Sequence, residues 1–208
     1  MIKPPDVPTT KSYHHGNLAQ ALLKEAERIL ETEGIQALSL RAAARGVGVS
    51  HTAPRNHFGD LTGLLSELAA TGYRRFTEMM MQAADEVDDD QRQRLRARGR
   101  AYIRFAYQHP GLFTLMFRNE QLDLTRPSLR EAMSASRESL DREVTLRTGS
   151  ASPLEQAARV VAVRSLTHGY AVLMLDNRLK IHLATLPETD VFALFDAMLD
   201  SVALVGVL

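Results

Sequence analysis

The chain of 208 residues contains no cysteine, which excludes disulfides, thiolate catalysis and cysteine-ligated zinc. Nor does it carry net charge, since 25 Lys and Arg balance 25 Asp and Glu. The basic balance that usually marks a nucleic-acid-binding protein is missing, so any such function requires charge to be segregated along the chain. No apolar run approaches the ~20 residues of a membrane span. The opening MIKPPDVPTTKS also lacks the apolar centre of a signal peptide. A cytoplasmic location with no membrane partner is the expectation.

Catalytic signatures are missing as well. There is no GxSxG, no HExxH, no glycine-rich phosphate loop and no pair of acids buried at helical spacing, so neither an enzyme nor a cofactor is expected. Adjacent side chains such as His14 and His15 do not converge on one ion without further ligands. The acidic run from Asp85 to Asp90 lacks the glycine turn and distant glutamate of a calcium loop. It reads instead as a loop that closes one helix and caps the next, and no metal site is expected. Arginines at 92, 94, 96, 98 and 100 advance by two, which spreads charge around a helix and predicts a solvated one.

Helical periodicity is plentiful. From Asn17 to Glu33, Leu18, Ala21, Leu22, Ala26, Ile29 and Leu30 recur at three- and four-residue steps, and Gly34 supplies a stop. The segment from Ser39 to Phe58, SLRAAARGVGVSHTAPRNHF, predicts a helix, a tight turn and a second short helix. Ser39 caps the first, Leu40, Ala43 and Ala44 form its inner face, and Gly46-Val47-Gly48-Val49 ends it. Ser50 caps the second, with Pro54 tolerated in its first turn. Ala44, Val49 and Phe58 close the small core. Ser39, Arg41, Ser50, His51, Thr52, Ala53, Arg55, Asn56 and His57 are then the candidates for contact with DNA bases and phosphates. On this segment alone a surface helical hairpin is the alternative. A slight basic excess lies here, seven Lys and Arg against six acids over residues 1–60, with four histidines besides.

After Asp60, a stripe of Leu61, Leu64, Leu65, Leu68, Phe76, Met79, Met80 and Ala83 predicts a long connector helix. The domain reading is a disordered arm over 1–12, a helix-turn-helix domain over 13–60 and a body over 61–208, with the connector at 61–84. The arm is either a passive tail or an extension that lies along a DNA groove through Lys3 and Lys11.

The segment from Tyr13 to Leu65, with its motif order and spacing, resembles the N-terminal domain of TetR-family transcriptional regulators. HPGLFTLMF (His109 to Phe117) and the pair His168-Gly169 resemble the body of the subgroup named for a Trp-His-Gly motif. Two positions depart from the family pattern in the head. Arg55 stands where a tyrosine is usual, and Leu61 where a lysine is usual, which implies altered operator preference or affinity. In the body, Arg164 replaces the subgroup's tryptophan.

The resemblance implies an all-α fold of about nine helices: a three-helix reading head, and a bundle that binds a small-molecule effector and forms a homodimer. It implies a ligand-responsive repressor, bound to a palindromic double-stranded DNA operator and released by its effector. A helical protein-interaction adaptor, or a regulator that no longer binds DNA, is the alternative. For the effector site the candidates are Tyr102, Phe105, Phe113, Met116, Phe117, Arg137, Arg164 and His168; Arg104 and Asn119 are further polar groups with partly buried surroundings. The aromatic and methionine side chains make either a packed core or a cavity wall. Arg164 lies four residues before His168 on one helix face. It either turns the pocket toward an anionic or strongly hydrogen-bonding ligand or pairs with an acid such as Glu138 or Asp141.

Two last helices, Pro153 to Asn177 and Thr189 to Val207, are apolar on more than one face and so need burial on two sides. They predict a four-helix dimer interface through Leu166, Gly169, Leu173, Phe192, Phe195, Leu199 and Val202, with Ala162, Ser165 and Gly169 allowing close approach.

Overall fold

A computed structural model of the chain describes residues 15–87, 90–118, 120–145 and 151–204. The expected arm at 1–12, His14, Asp88 and Asp89 of the acidic run, Asn119 and Val205 lie outside the described residues. Among those described there are ten α-helices, one 3₁₀ turn and no strand. The chain divides into one unit ending at Leu64 and a second beginning at Leu65.

The first unit holds α1 (His15–Glu33), a 3₁₀ turn (Ile35–Ala37), α2 (Leu40–Val47) and α3 (Ala53–Phe58), then the start of α4 (Leu61–Asp85). Leu22, Ala26, Ile29 and Leu30 of α1 are buried with Leu38, Ala43, Ala44 and Phe58. Ser39 caps α2, its Oγ accepting from Ala42 N–H at 3.0 Å. Gly48 ends α2 at φ 75°, a left-handed conformation that a side chain disfavours, and its N–H bonds back to the carbonyls of Ala44 and Arg45. The cap of α3 is Thr52, not Ser50 as expected, because the chain spends one more turn before the helix starts. Ser50 Oγ instead shares a 2.9 Å hydrogen bond with Thr52 Oγ1. Val49 is only half-buried, leaving Ala44 and Phe58 to close this core.

The second unit contains the rest of α4, α5 (Gln91–Gln108), α6 (Pro110–Arg118), α7 (Pro127–Thr145), α8 (Pro153–Leu175), α9 (Lys180–Leu183) and α10 (Val191–Leu204). The short α9 lies between the two last helices that periodicity predicts and brings the expected nine helices to ten among the described residues. Asp90 caps α5, and Ser152 with Glu155 forms a reciprocal capping box at α8.

The prediction of a solvated α5 is wrong. This helix packs against α6, α7, α8 and α10, and Ile103, Phe105 and Ala106 are completely buried. Its arginines are drawn in by acids elsewhere in the chain. Arg94 Nε meets Glu143 Oε1 at 2.8 Å, Arg98 Nη1 lies 3.9 Å from Glu143 Oε2, Arg96 pairs with Asp200, and Arg100 pairs with Asp196. Full burial of a side chain such as Phe105, Phe113 or Phe195 favours the fold by about 1.5–3 kcal/mol over exposure. No helix among the described residues is long and apolar enough to cross a membrane.

Candidate functional site

In the head, α3 has six residues and two faces. Pro54 and Phe58, four apart, turn into the core, so Arg55 and Asn56 face outward. Arg41, Ser50, His51 and Thr52 are exposed with them, while Ser39, Ala53 and His57 are half-buried. Ser39 spends its hydroxyl on the α2 cap. The outward row is thus rich in donors that match phosphate oxygens and base edges.

In the body, a cavity of about 640 Å³ opens between α4, α5, α6, α7 and α8. Of the effector-site candidates, Tyr102, Phe117, Arg137, Arg164 and His168 line it, and Tyr73, Phe76, Met80, Arg98, Arg130 and Met133 line it as well. Phe105, Phe113 and Met116 do not. They are buried behind the wall, Phe105 edge-on to Phe76 at 5.2 Å and Phe113 stacked on His168 at 5.6 Å, so their part is to hold lining groups in place. Arg104, expected to be partly buried, is exposed.

The polar groups of the wall are fixed by neighbours. Tyr102 Oη and His168 Nδ1 share a 2.8 Å hydrogen bond. Tyr73 Oη donates to the Met116 carbonyl at 3.0 Å, and burial pushes its pKa up to about 12. Burial lowers the pKa of His168, and the charges of Arg118 and Arg164 lower it further, which favours the neutral imidazole. Arg98, 4 % exposed, donates from Nη2 to Ser139 Oγ at 2.9 Å, while its buried Nε has no hydrogen-bond partner among the described residues. Sequence reasoning missed Arg98 because it looked like one of a solvated series. Its place one turn before Tyr102 on the same helix face was the available signal.

On α8, Leu154, Val161 and Leu173 are 80 %, 61 % and 42 % exposed, and a Cβ placed on Gly169 would meet nothing within 4 Å. Leu166 is half-buried, as are Phe192, Leu199 and Val202 on α10. Phe195 is different. It is completely buried in its own chain, against Gly99 of α5 and Tyr170 of α8, which removes it from any surface offered to a second subunit.

Residues 95–202 match the family model described as tetracyclin repressor-like, C-terminal domain. A solved structure of a protein of unknown function from Rhodococcus sp. RHA1 is 34 % identical, with 92 % of this chain and 96 % of that one covered and a TM-score of 0.74. The HTH-type transcriptional regulator YobS of Bacillus subtilis (strain 168) is 24 % identical, over 76 % of this chain and 80 % of its own. The transcriptional regulator FadR of Bacillus subtilis, solved in complex with stearoyl-CoA, shares the fold at 15 % identity and a TM-score of 0.66, over 87 % of this chain and 95 % of that one. With a family match over more than half its length, behind a helix-turn-helix head, the chain belongs to the TetR family of DNA-binding transcriptional regulators.

Proposed function

We propose that the protein is a ligand-responsive repressor that binds a palindromic operator as a homodimer and leaves it when a small molecule occupies the cavity. The cavity carries this reading. About 640 Å³ of space, walled by aromatic and methionine side chains with a few anchored polar groups, is the form a small-molecule site takes. FadR, solved with stearoyl-CoA, is a precedent for ligand binding on this fold. The outward row of α3, with Arg55 and Asn56, supplies the operator contacts.

Dimerisation uses α8. Its exposed Leu154, Val161 and Leu173, with Gly169 for close approach, form an apolar side that a monomer leaves in water, and Leu166 and the half-buried residues of α10 border it. A two-fold pair of heads then fits two operator half-sites.

Coupling rests on differential affinity: the effector binds better to a conformation whose heads do not fit the operator, and shifts the population toward it. The connection before α7 supports this. Leu124 lines the cavity, and its neighbours are tied to the early part of α4: Asp123 N–H donates to Ser66 Oγ at 2.9 Å, and Arg126 pairs with Glu67 at 2.6 Å. A ligand that displaces Leu124 therefore pulls on α4.

Selection of bound fragments from the source genome by the purified protein tests the proposal. A palindromic winner supports it. Recovery of fragments without enrichment at low salt, from protein shown by mass spectrometry to carry no bound small molecule, contradicts it.

A further inference from the structure

The cavity wall holds four guanidinium groups, Arg98, Arg130, Arg137 and Arg164, and no carboxylate among its described residues. Arg98 is buried, while Arg130, Arg137 and Arg164 are exposed, so the open side of the cavity presents charge of one sign, which attracts the opposite charge. The four are not equivalent. Arg98 is already compensated from behind by Glu143, which does not line the cavity. Among the described residues, Arg137 reaches only Ser134, at 3.5 Å on its own helix. Arg164 pairs with neither Glu138 nor Asp141: the Glu138 carboxylate takes the Ser134 hydroxyl, and among the described residues no acid lies within salt-bridge distance of Arg164. Its charge nevertheless acts inside the cavity, where it favours the ionised form of Tyr73 and Tyr102 and disfavours protonation of His168.

We propose that the effector is an organic anion, a carboxylate on an aromatic or aliphatic body, with its charge paired to Arg164 and its body against Phe76, Phe117 and Met80. The inference rests on the cavity being the effector site. A carboxylate offers this exposed guanidinium a paired, bidentate contact that a neutral ligand does not. The apolar rings supply the contact area, and the neutral Tyr102–His168 pair adds no competing charge.

The test is calorimetric titration of the full chain with naphthoate and dodecanoate, each beside its own methyl ester. A charge-assisted contact predicts that each acid binds at least about tenfold tighter than its ester. In Arg164→Met the acids should weaken by about the same factor while the esters keep their affinity, which also shows that the cavity is still folded. Equal binding of acid and ester by the wild-type chain overturns the charge assignment and leaves the cavity reading in place. Preference for acid that survives Arg164→Met overturns the role of Arg164. A chain that takes neither acid nor ester overturns the effector-cavity reading and this inference with it.

Discussion

Tyr102 of α5 and His168 of α8 share a 2.8 Å hydrogen bond that crosses the packing of the two helices at the wall of the cavity. Because burial and the charges of Arg118 and Arg164 depress the His168 pKa below its ordinary 6.5, the unfolded chain takes up a proton there that the folded chain refuses. The contribution of His168 to stability is thus fully present above pH 6.5 and is lost as pH falls through that value toward the folded-state pKa. Urea unfolding of the wild type and His168→Gln between about pH 7.5 and 5.5 checks this. The wild type should lose more stability across the window; parallel curves would contradict it.

Glu143 anchors α7 to α5 by holding both Arg94 and the buried Arg98. Glu143→Ala leaves the Arg98 guanidinium without its counter-charge in the interior, which should cost about 3–5 kcal/mol. The pairwise origin is checked by adding Arg98→Met, which should restore part of the loss in urea unfolding.

Gly99 is where α5 passes Phe195 of α10. A Cβ there would come within 2.9 Å of the Phe195 ring, which is completely buried. Gly99→Ala should destabilise by about 1–3 kcal/mol. Pairing it with Phe195→Leu should recover stability relative to the sum of the single changes, as thermal or urea unfolding would register.

Leu173 is exposed on the apolar side of α8, so Leu173→Glu should turn dimers into monomers with a normal helical circular dichroism spectrum. Sedimentation velocity reads the outcome directly. A dimer that survives the charge would move the interface off this part of α8.

The head was legible in the sequence because its signals are local. Ser39 and Gly48 mark the ends of α2 within a few residues of the helix they bound, and Phe58 states which face of α3 is inward. The centre of the body was not, because its logic is long-range. Nothing near Arg98 or Arg94 shows that Glu143 waits on α7, so a run of arginines read as a solvated helix became the buried axis of the bundle. Phe195 failed for a related reason. Apolar periodicity shows that α10 buries a face but not whether the partner is the same chain, and only Gly99, a residue without a side chain in a crowded helix, hinted at who receives the ring. The cavity was half legible: residue type picked out Tyr102, Phe117, Arg137, Arg164 and His168, but separating wall from backing, as for Phe105 and Phe113, needed the packing itself.

The central claim, that the outward row of α3 reads DNA, is tested most directly by the affinity of wild-type and Arg55→Ala protein for one selected operator fragment across a salt series. The wild type should show a steep linear fall of log affinity with log salt, and loss of one guanidinium contact should weaken binding by about tenfold and reduce the salt slope by about one. Identical affinities and slopes for the two proteins, with no preference for the selected fragment over a scrambled one, would contradict the account.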